Sequence, residues 1–507
     1  MHPRPSRRAA LRTGGLLAVG TLLPPLSAEQ AYAEQAYAAT SRTGAATSRT
    51  GAATPHTGEA TWHTGAAAAY TGAWRAVPGI LARIRPPAFP RRMFRVTDYG
   101  AVGDGRTMNT PAFRAAIAAC HRAGGGHVVV PEGRFLTGAI HLRSRVDLHV
   151  TAGATIAFSP DPGDFLPVVL TRWEGTEAYN YSPFIYAYGE RDVAVTGPGT
   201  LDGQARLGPW ESWYRDSGPQ GADQKLLREM GATGVPVARR VFGDGHHLRP
   251  KMVQFYRCRN VMVSGLTIVD PPMWTVHPVL SSNVTVRDVT VDSTLYNTDG
   301  CDPECCSDVL ITGCRFNTND DCVAVKSGRD EDGHRVNVPS RNIVVRDCRF
   351  SGRWGGMTVG SEMSGGVRDV FAEDCQINPS DFPGRHPVKY PLYVKANKKR
   401  GGSIDGVHIR NFTGQGVERD IAFVTMDYNG GEDGTLPVSV RNIHLDRMEI
   451  DGAQSVLRLV GLETDQLRDV HLSHSTFTGI RAPDSVVHTE DLTFRRVFVN
   501  GQEVPQP

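Results

Sequence analysis

Three absences narrow the field before any motif is read. The chain has almost no net charge: 55 Lys+Arg against 53 Asp+Glu leave +2 over 507 residues. No field of one sign points to nucleic acid or an anionic membrane, so a charged substrate must be met by local charges. The apolar run at 14–23 is too short for a membrane span, and no other stretch approaches about 18 apolar residues. No CxxC pair occurs among the nine cysteines, so no metal site of the zinc type is expected. Nine is odd, which leaves at least one thiol outside intramolecular pairs. Glycine, by contrast, is abundant: 55 residues, against a usual level of roughly 7%, which fits many tight turns.

Residues 1–38 read as an export signal. Ser6-Arg7-Arg8-Ala9-Ala10-Leu11 is a twin-arginine pattern, followed by the apolar run and by small-residue cleavage sites at Ala31-Tyr32-Ala33 and Ala36-Tyr37-Ala38. The expected destination is outside the cell. Residues 39–90 read as a linker: Thr-x-x-Thr-Gly-x-Ala recurs with a period of seven from Thr40, and a Pro-rich stretch follows. Nothing apolar recurs there that could form a coiled-coil seam. Residues 91–507 then form one folded domain, expected to act as a monomer. Thr110-Pro111 predicts a helix start, with Phe113, Ala116, Ile117 and Cys120 on one face and Gly124-Gly125-Gly126 at its end. Such a helix could cap the open end of a strand stack.

A repeat dominates the rest. With an Asn or Asp at position zero, it begins at Asn260, Asn283, Asp308, Asn342, Asp369, Asn442, Asp469 and Asp491, and Gly406 fills the same place before Asn442. Apolar residues follow at plus one (Val261 to Leu492), plus three (Val263 to Phe494) and plus eight (Ile268 to Val499). Two short alternating strands with a bend between them account for this pattern. Stacking such rungs builds a solenoid core, and helical spacing is missing. The prediction is an all-β fold, a right-handed parallel β-helix with a short N-terminal capping helix. Cys314, Cys348 and Cys375 share the plus-six column and read as small buried hydrophobes. Cys305 and Cys306, adjacent in a turn, are the expected disulfide participants.

The segment richest in chemistry is Asn297-Thr298-Asp299-Gly300-Cys301-Asp302, then Asn319-Asp320-Asp321-Cys322. Asp299 precedes Asp320 and Asp321 by 21 and 22 residues, close to one rung. Rungs rise about 4.8 Å, so the three carboxylates are expected to converge. Crowded carboxylates repel, and one of them should keep a proton near neutral pH. A general acid beside ionised neighbours is the apparatus of glycoside hydrolysis. Two blander readings stand beside it: Asx turns with asparagine ladders at the bends, or a calcium site.

These blocks resemble the polygalacturonase family, glycoside hydrolase family 28. The resemblance rests on Asn297-Thr298-Asp299-Gly300, on Asp320 through Gly328, and on Gly355 through Arg368. Asp302-Pro303-Glu304 and Val394-Lys395-Ala396-Asn397 bring it nearest the bacterial exo-acting branch. The resemblance implies cleavage of pectic, galacturonan-type glycan with inversion and no cofactor. It makes Asp320 the general acid, with Asp299 and Asp321 activating water. Asn297, Lys326, Glu362 and Lys395 fall in matching motifs and are candidate substrate-binding residues. Trp354 and Tyr393 depart from the family's usual His and Arg, and as aromatic surface they suit stacking on a sugar ring. Trp274, with Trp173, Glu174, Tyr179, Tyr181 and His277, could line subsites. Arg353, Arg385, His386, Lys389, Lys398, Lys399 and Arg400 give local positive charge. Long insertions near 203–245 and 378–392 tilt the expectation towards exo action. Other readings are a hydrolase of a decorated or neutral glycan, a calcium-dependent lyase, and a non-catalytic carbohydrate-binding solenoid.

Overall fold

The computed structural model describes residues 72–506 apart from 216, 217, 382, 383 and 385. The export signal and most of the Thr/Gly repeat lie outside the described residues. The chain folds as a right-handed parallel β-helix. The plus-one side chains pair rung on rung in one continuous register: Val261, Val284, Val309, Ile343, Val370, Val407, Ile443, Val470 and Leu492. The plus-eight column does the same from Ile268 through Phe316 and Phe350 to Val499. These columns fill a single apolar core.

The Asn and Asp at position zero have a backbone reason. Asn260, Asn283, Asp308, Asn342, Asp369, Asn442, Asp469 and Asp491 all sit at φ between 54° and 61°. That left-handed region disfavours most side chains but tolerates short polar ones. Their side chains also ladder: Asn283 Nδ2 donates to Asn260 Oδ1 at 2.7 Å, and Asn342 Nδ2 to Asp308 Oδ1 at 3.0 Å. Four earlier strands, Met93–Arg95, Gly126–Val130, Val146–Val150 and Arg191–Thr196, extend the same stack. They escape the periodicity because Arg145 stands where the later rungs have Asn or Asp, and a long insertion separates Asp192 from Asn260.

Most rungs also carry a third strand that the repeat does not reveal. This stack runs through Ile140–His141, Ile185–Tyr188, Val253–Tyr256 and Val276–Val279, then Val323–Val325, Gly355–Val359, Tyr390–Lys395, Ala422–Thr425, Leu457–Val460 and Ser485–Val487. Between Val276–Val279 and Val323–Val325 only bridges at Cys301 and Glu304 join the two halves. A hairpin, Val169–Trp173 with Thr176–Asn180, lies over the earlier half. Thr171 Oγ1 donates to Gln254 at 2.6 Å, Arg172 Nε reaches Glu304 at 3.3 Å, and the Tyr256 hydroxyl donates to Glu177. The helix Gln220–Ala232 and the helix Asp330–Val336 pack against this hairpin.

Four expectations need correcting. The helix Thr110–Arg122 buries Phe113, Ala116, Ile117 and Cys120 as expected, but Asn109 is its N-cap residue. Thr110 Oγ1 instead accepts from Gly138 N–H at 2.7 Å. The linker ends earlier than 90, because Ala76–Arg83 is a helix. Trp74, Val77, Ile80 and Ile84 pack on Val344 and Phe371, and Arg83 pairs with Asp308 at 2.7 Å. Cys305 and Cys306 form no disulfide: all nine cysteines are buried and free. Cys305 Sγ accepts from Arg172 at 3.0 Å, whereas Cys306 Sγ turns to Pro278 O at 3.2 Å. Finally, residues expected to line subsites are enclosed: Trp173 and Tyr181 are buried, and His277 lies between Gln254 and Glu304.

Candidate active site

The gap in the third stack is where the carboxylates gather. Cys301 bridges Val323, so Asp299 and Asp321, two residues earlier on each rung, lie one above the other. Gly300 N–H donates to Asp321 O at 3.0 Å and fixes that register. Asp320 stands at the corner, half-buried, with Thr318 Oγ1 donating to its carbonyl at 2.7 Å. The corner lets two adjacent aspartates share one side, which a regular strand forbids. Oxygens of Asp299, Asp320 and Asp321 all lie within 4.8 Å of one another. These nearest oxygens are closer than the roughly 6.5–9.5 Å usual between the carboxyl groups of inverting pairs.

The three carboxyls differ in what surrounds them. Asp321 Oδ1 accepts from Gly355 N–H at 2.8 Å and Thr358 Oγ1 at 2.9 Å, and its Oδ2 meets Lys395 Nζ at 2.7 Å. Position 355 needs glycine: a Cβ there would stand 2.9 Å from that Asp321 oxygen. Burial, then the charges of Asp299 and Asp321, push Asp320 well above the ordinary carboxyl range. Burial and Asp302 do the same to Asp299, which Lys326 at 3.8 Å offsets only in part. Asp299 Oδ1 is buried with no hydrogen-bond partner. The buried ammoniums of Lys326 and Lys395 supply counter-charge, each held well protonated because neighbouring carboxylates outweigh the effect of burial.

Most of the remaining sequence candidates are near this centre. Lys326 Nζ lies 3.2 Å from Glu362 and 3.6 Å from Asp302. Burial alone would push Glu362 up, but Lys326, Arg329 and Arg400 outweigh it and hold Glu362 low. Asn297 Nδ2 approaches Asp320 Oδ2 at 3.4 Å. Trp274 is the next residue down the column from Asp299, packed under Lys251 at 4.0 Å and Lys326 at 4.3 Å. Trp354 and Tyr393 are buried at 5% and 1% exposure, so neither presents an open stacking face. Lys389 covers the Trp354 ring at 3.8 Å, and Tyr393 stacks on Phe423 at 5.2 Å. Lys398 and Lys399 pair with Asp465 and Asp433 instead of crowding the centre.

Further groups around the trio were given no role from the sequence. Asp302 is fully buried beside the trio, and burial lifts it to about 7. Lys251 is buried between Trp173 and Trp274, and burial lowers it to about 7. Arg329 links Glu362 at 3.2 Å to Glu174 at 3.4 Å, closing the site against the hairpin tip. Gly175, at φ 84°, permits that approach, since a Cβ would come within 2.6 Å of Arg329 Cβ. Glu174 sits at the tip of the hairpin, 125 residues before Asp299 in the chain.

Comparison with known proteins agrees with this geometry. Residues 241–486, which include the trio, match the family model described as glycosyl hydrolases family 28. Residues 93–149 match a second, described as rhamnogalacturonase A/epimerase, pectate lyase-like. The chain is 42% identical to a hyperthermoactive exopolygalacturonase of Thermotoga maritima of known structure, with a TM-score of 0.81 over 85% of this chain and 97% of that one. It is 29% identical over 398 residues to a probable polygalacturonase of Vitis vinifera, covering 75% of this chain and 73% of the relative. It is 23% identical over 437 residues to an exo-poly-alpha-D-galacturonosidase of Dickeya chrysanthemi, covering 80% and 70%.

Proposed function

The chain belongs to glycosyl hydrolases family 28 and is a glycoside hydrolase; from that premise we propose that it hydrolyses galacturonan from a chain end, with inversion. Asp320 is the general acid that protonates the leaving oxygen. Asp299 and Asp321 together hold the attacking water and take its proton. The observation that carries this assignment is the asymmetry of the trio. Asp299 and Asp320 are both pushed above the ordinary range, but Asp320 alone of the trio is half-buried, so it can present its proton to a leaving oxygen. Asp299 keeps a buried oxygen without a partner beside the well-held Asp321, which leaves an acceptor for water. Lys395 and Lys326 offer positive charge to a uronate carboxylate, one that buried Tyr393 cannot supply.

Attack at a chain end is supported by the hairpin Val169–Trp173 and Thr176–Asn180, which lies over the third stack on one side of the trio. The named activities of the Thermotoga and Dickeya relatives point the same way. Export through the twin-arginine pattern at Arg7-Arg8 completes the reading. No described helix is long and apolar enough to cross a membrane.

The test is product analysis on a panel of oligogalacturonides and neutral oligosaccharides. Short saturated galacturonides released from one end, unaffected by chelator, are expected. An unsaturated, ultraviolet-absorbing product that vanishes with chelator would instead mark a lyase. Turnover confined to neutral glycans would overturn the galacturonan assignment, and binding without turnover would leave a carbohydrate-binding solenoid.

A further inference from the structure

Arg249 is a buried cation whose hydrogen bonds go to the protein frame and to one side chain beside the trio. It is 1% exposed, and no carboxylate lies within ion-pair distance of it among the described residues. Its Nε donates to Gln220 Oε1 at 2.7 Å, and one terminal nitrogen donates to Pro272 O at 3.0 Å and Tyr296 O at 2.9 Å. The other terminal nitrogen donates to Asn297 Oδ1 at 2.7 Å. Asn297 then has one orientation open to its amide, with Nδ2 facing Asp320 Oδ2 at 3.4 Å. The guanidinium plane rests on the Tyr214 ring at 4.6 Å, which removes its remaining freedom.

We propose that Arg249 is a positioning residue for the general acid, acting through Asn297. The inference rests on Asp320 being that acid. When Asp320 gives up its proton, the negative charge forms between two fixed donors, Asn297 Nδ2 and the Asp321 N–H at 3.0 Å from Oδ1. Donors set in place beforehand stabilise a developing charge without reorganising, and long contacts of this kind tighten as the reaction proceeds. Gln220 opens the helix Gln220–Ala232 within the insertion that packs against the hairpin. The element that covers one side of the site is thereby tied to the acid on its floor.

The arms are Arg249→Lys, Gln220→Ala, Asn297→Gly and the Arg249→Lys/Asn297→Gly pair. Glycine suits position 297 because Asn297 sits at φ 55°. Each is assayed for kcat, KM, melting temperature and the pH dependence of kcat on whichever glycan the natural enzyme cleaves. Arg249→Lys and Asn297→Gly are each expected to lower kcat by about 100-fold with little change in KM. The double variant should lose no more than the worse single one. Removing a donor from the carboxylate form raises the Asp320 pKa, so the alkaline limb of kcat should move to higher pH. Gln220→Ala should show the same pattern more weakly, and it keeps the test open if Arg249→Lys does not fold. Additive losses, or lower activity with an unmoved alkaline limb, would overturn the proposal. A natural enzyme inactive on galacturonides would sink the substrate assignment alone, since these arms apply to any glycan it cleaves.

Discussion

The first two strand stacks and the third follow opposite rules. In the first two, the inward positions from Val261 to Leu492 and from Ile268 to Val499 are paired without a break, and all are apolar but for Gly414. In the third, the ladder thins to bridges at Cys301 and Glu304, and there Asp299, Asp302, Asp321 and Lys326 are buried. Stacked apolar columns give stability, whereas buried like charges cost it and persist where they do chemistry. Stability and activity should therefore separate by stack, and substitutions can break or sharpen that separation.

The largest expected effect is in the first stack. Val345, fully buried, cannot accept a charge, and Val345→Asp should cost more than about 4 kcal/mol and abolish cooperative unfolding. A folded Val345→Asp protein, seen by circular dichroism and thermal melting, would break the comparison. Next comes Asp299→Asn, which keeps the shape and removes a crowded, buried carboxyl from the third stack. Activity should fall by about 10²–10⁴-fold, while the melting temperature holds or rises. Lys395→Met should do harm on both counts. It strands the Asp321 carboxylate, now 2.7 Å from the ammonium, and breaking such a buried pair costs about 3–5 kcal/mol. Denaturant unfolding beside an activity assay measures both. The smallest effect belongs to Cys348→Ala in the plus-six column, where about 1 kcal/mol should be lost and kcat should stay unchanged.

How much of this was legible depended on regularity. The left-handed corners at Asn260, Asn283 and Asp308 demand short polar side chains, and each is followed by an alternating apolar strand. The fold could therefore be read without a structure. Asp299, Asp320 and Asp321 could be placed together because one rung separates them. The third stack was not legible, since its strands lie at no fixed distance from position zero. Nor was the role of Tyr393, whose aromatic character says nothing of its burial at 1% exposure. Arg249 lies 71 residues before Asp320 and has no motif, and only the folded chain brings it to Asn297.

The most direct test of the whole account is the activity of Asp320→Asn on oligogalacturonides, measured beside its melting temperature. Asp320 must be protonated to act, so the natural enzyme should lose kcat as pH rises through the elevated pKa of that carboxyl. The account predicts that Asp320→Asn melts like the natural enzyme, loses about 10²–10⁴-fold in kcat, and no longer shows that alkaline limb. A folded Asp320→Asn enzyme with near-natural kcat and the same limb would contradict it.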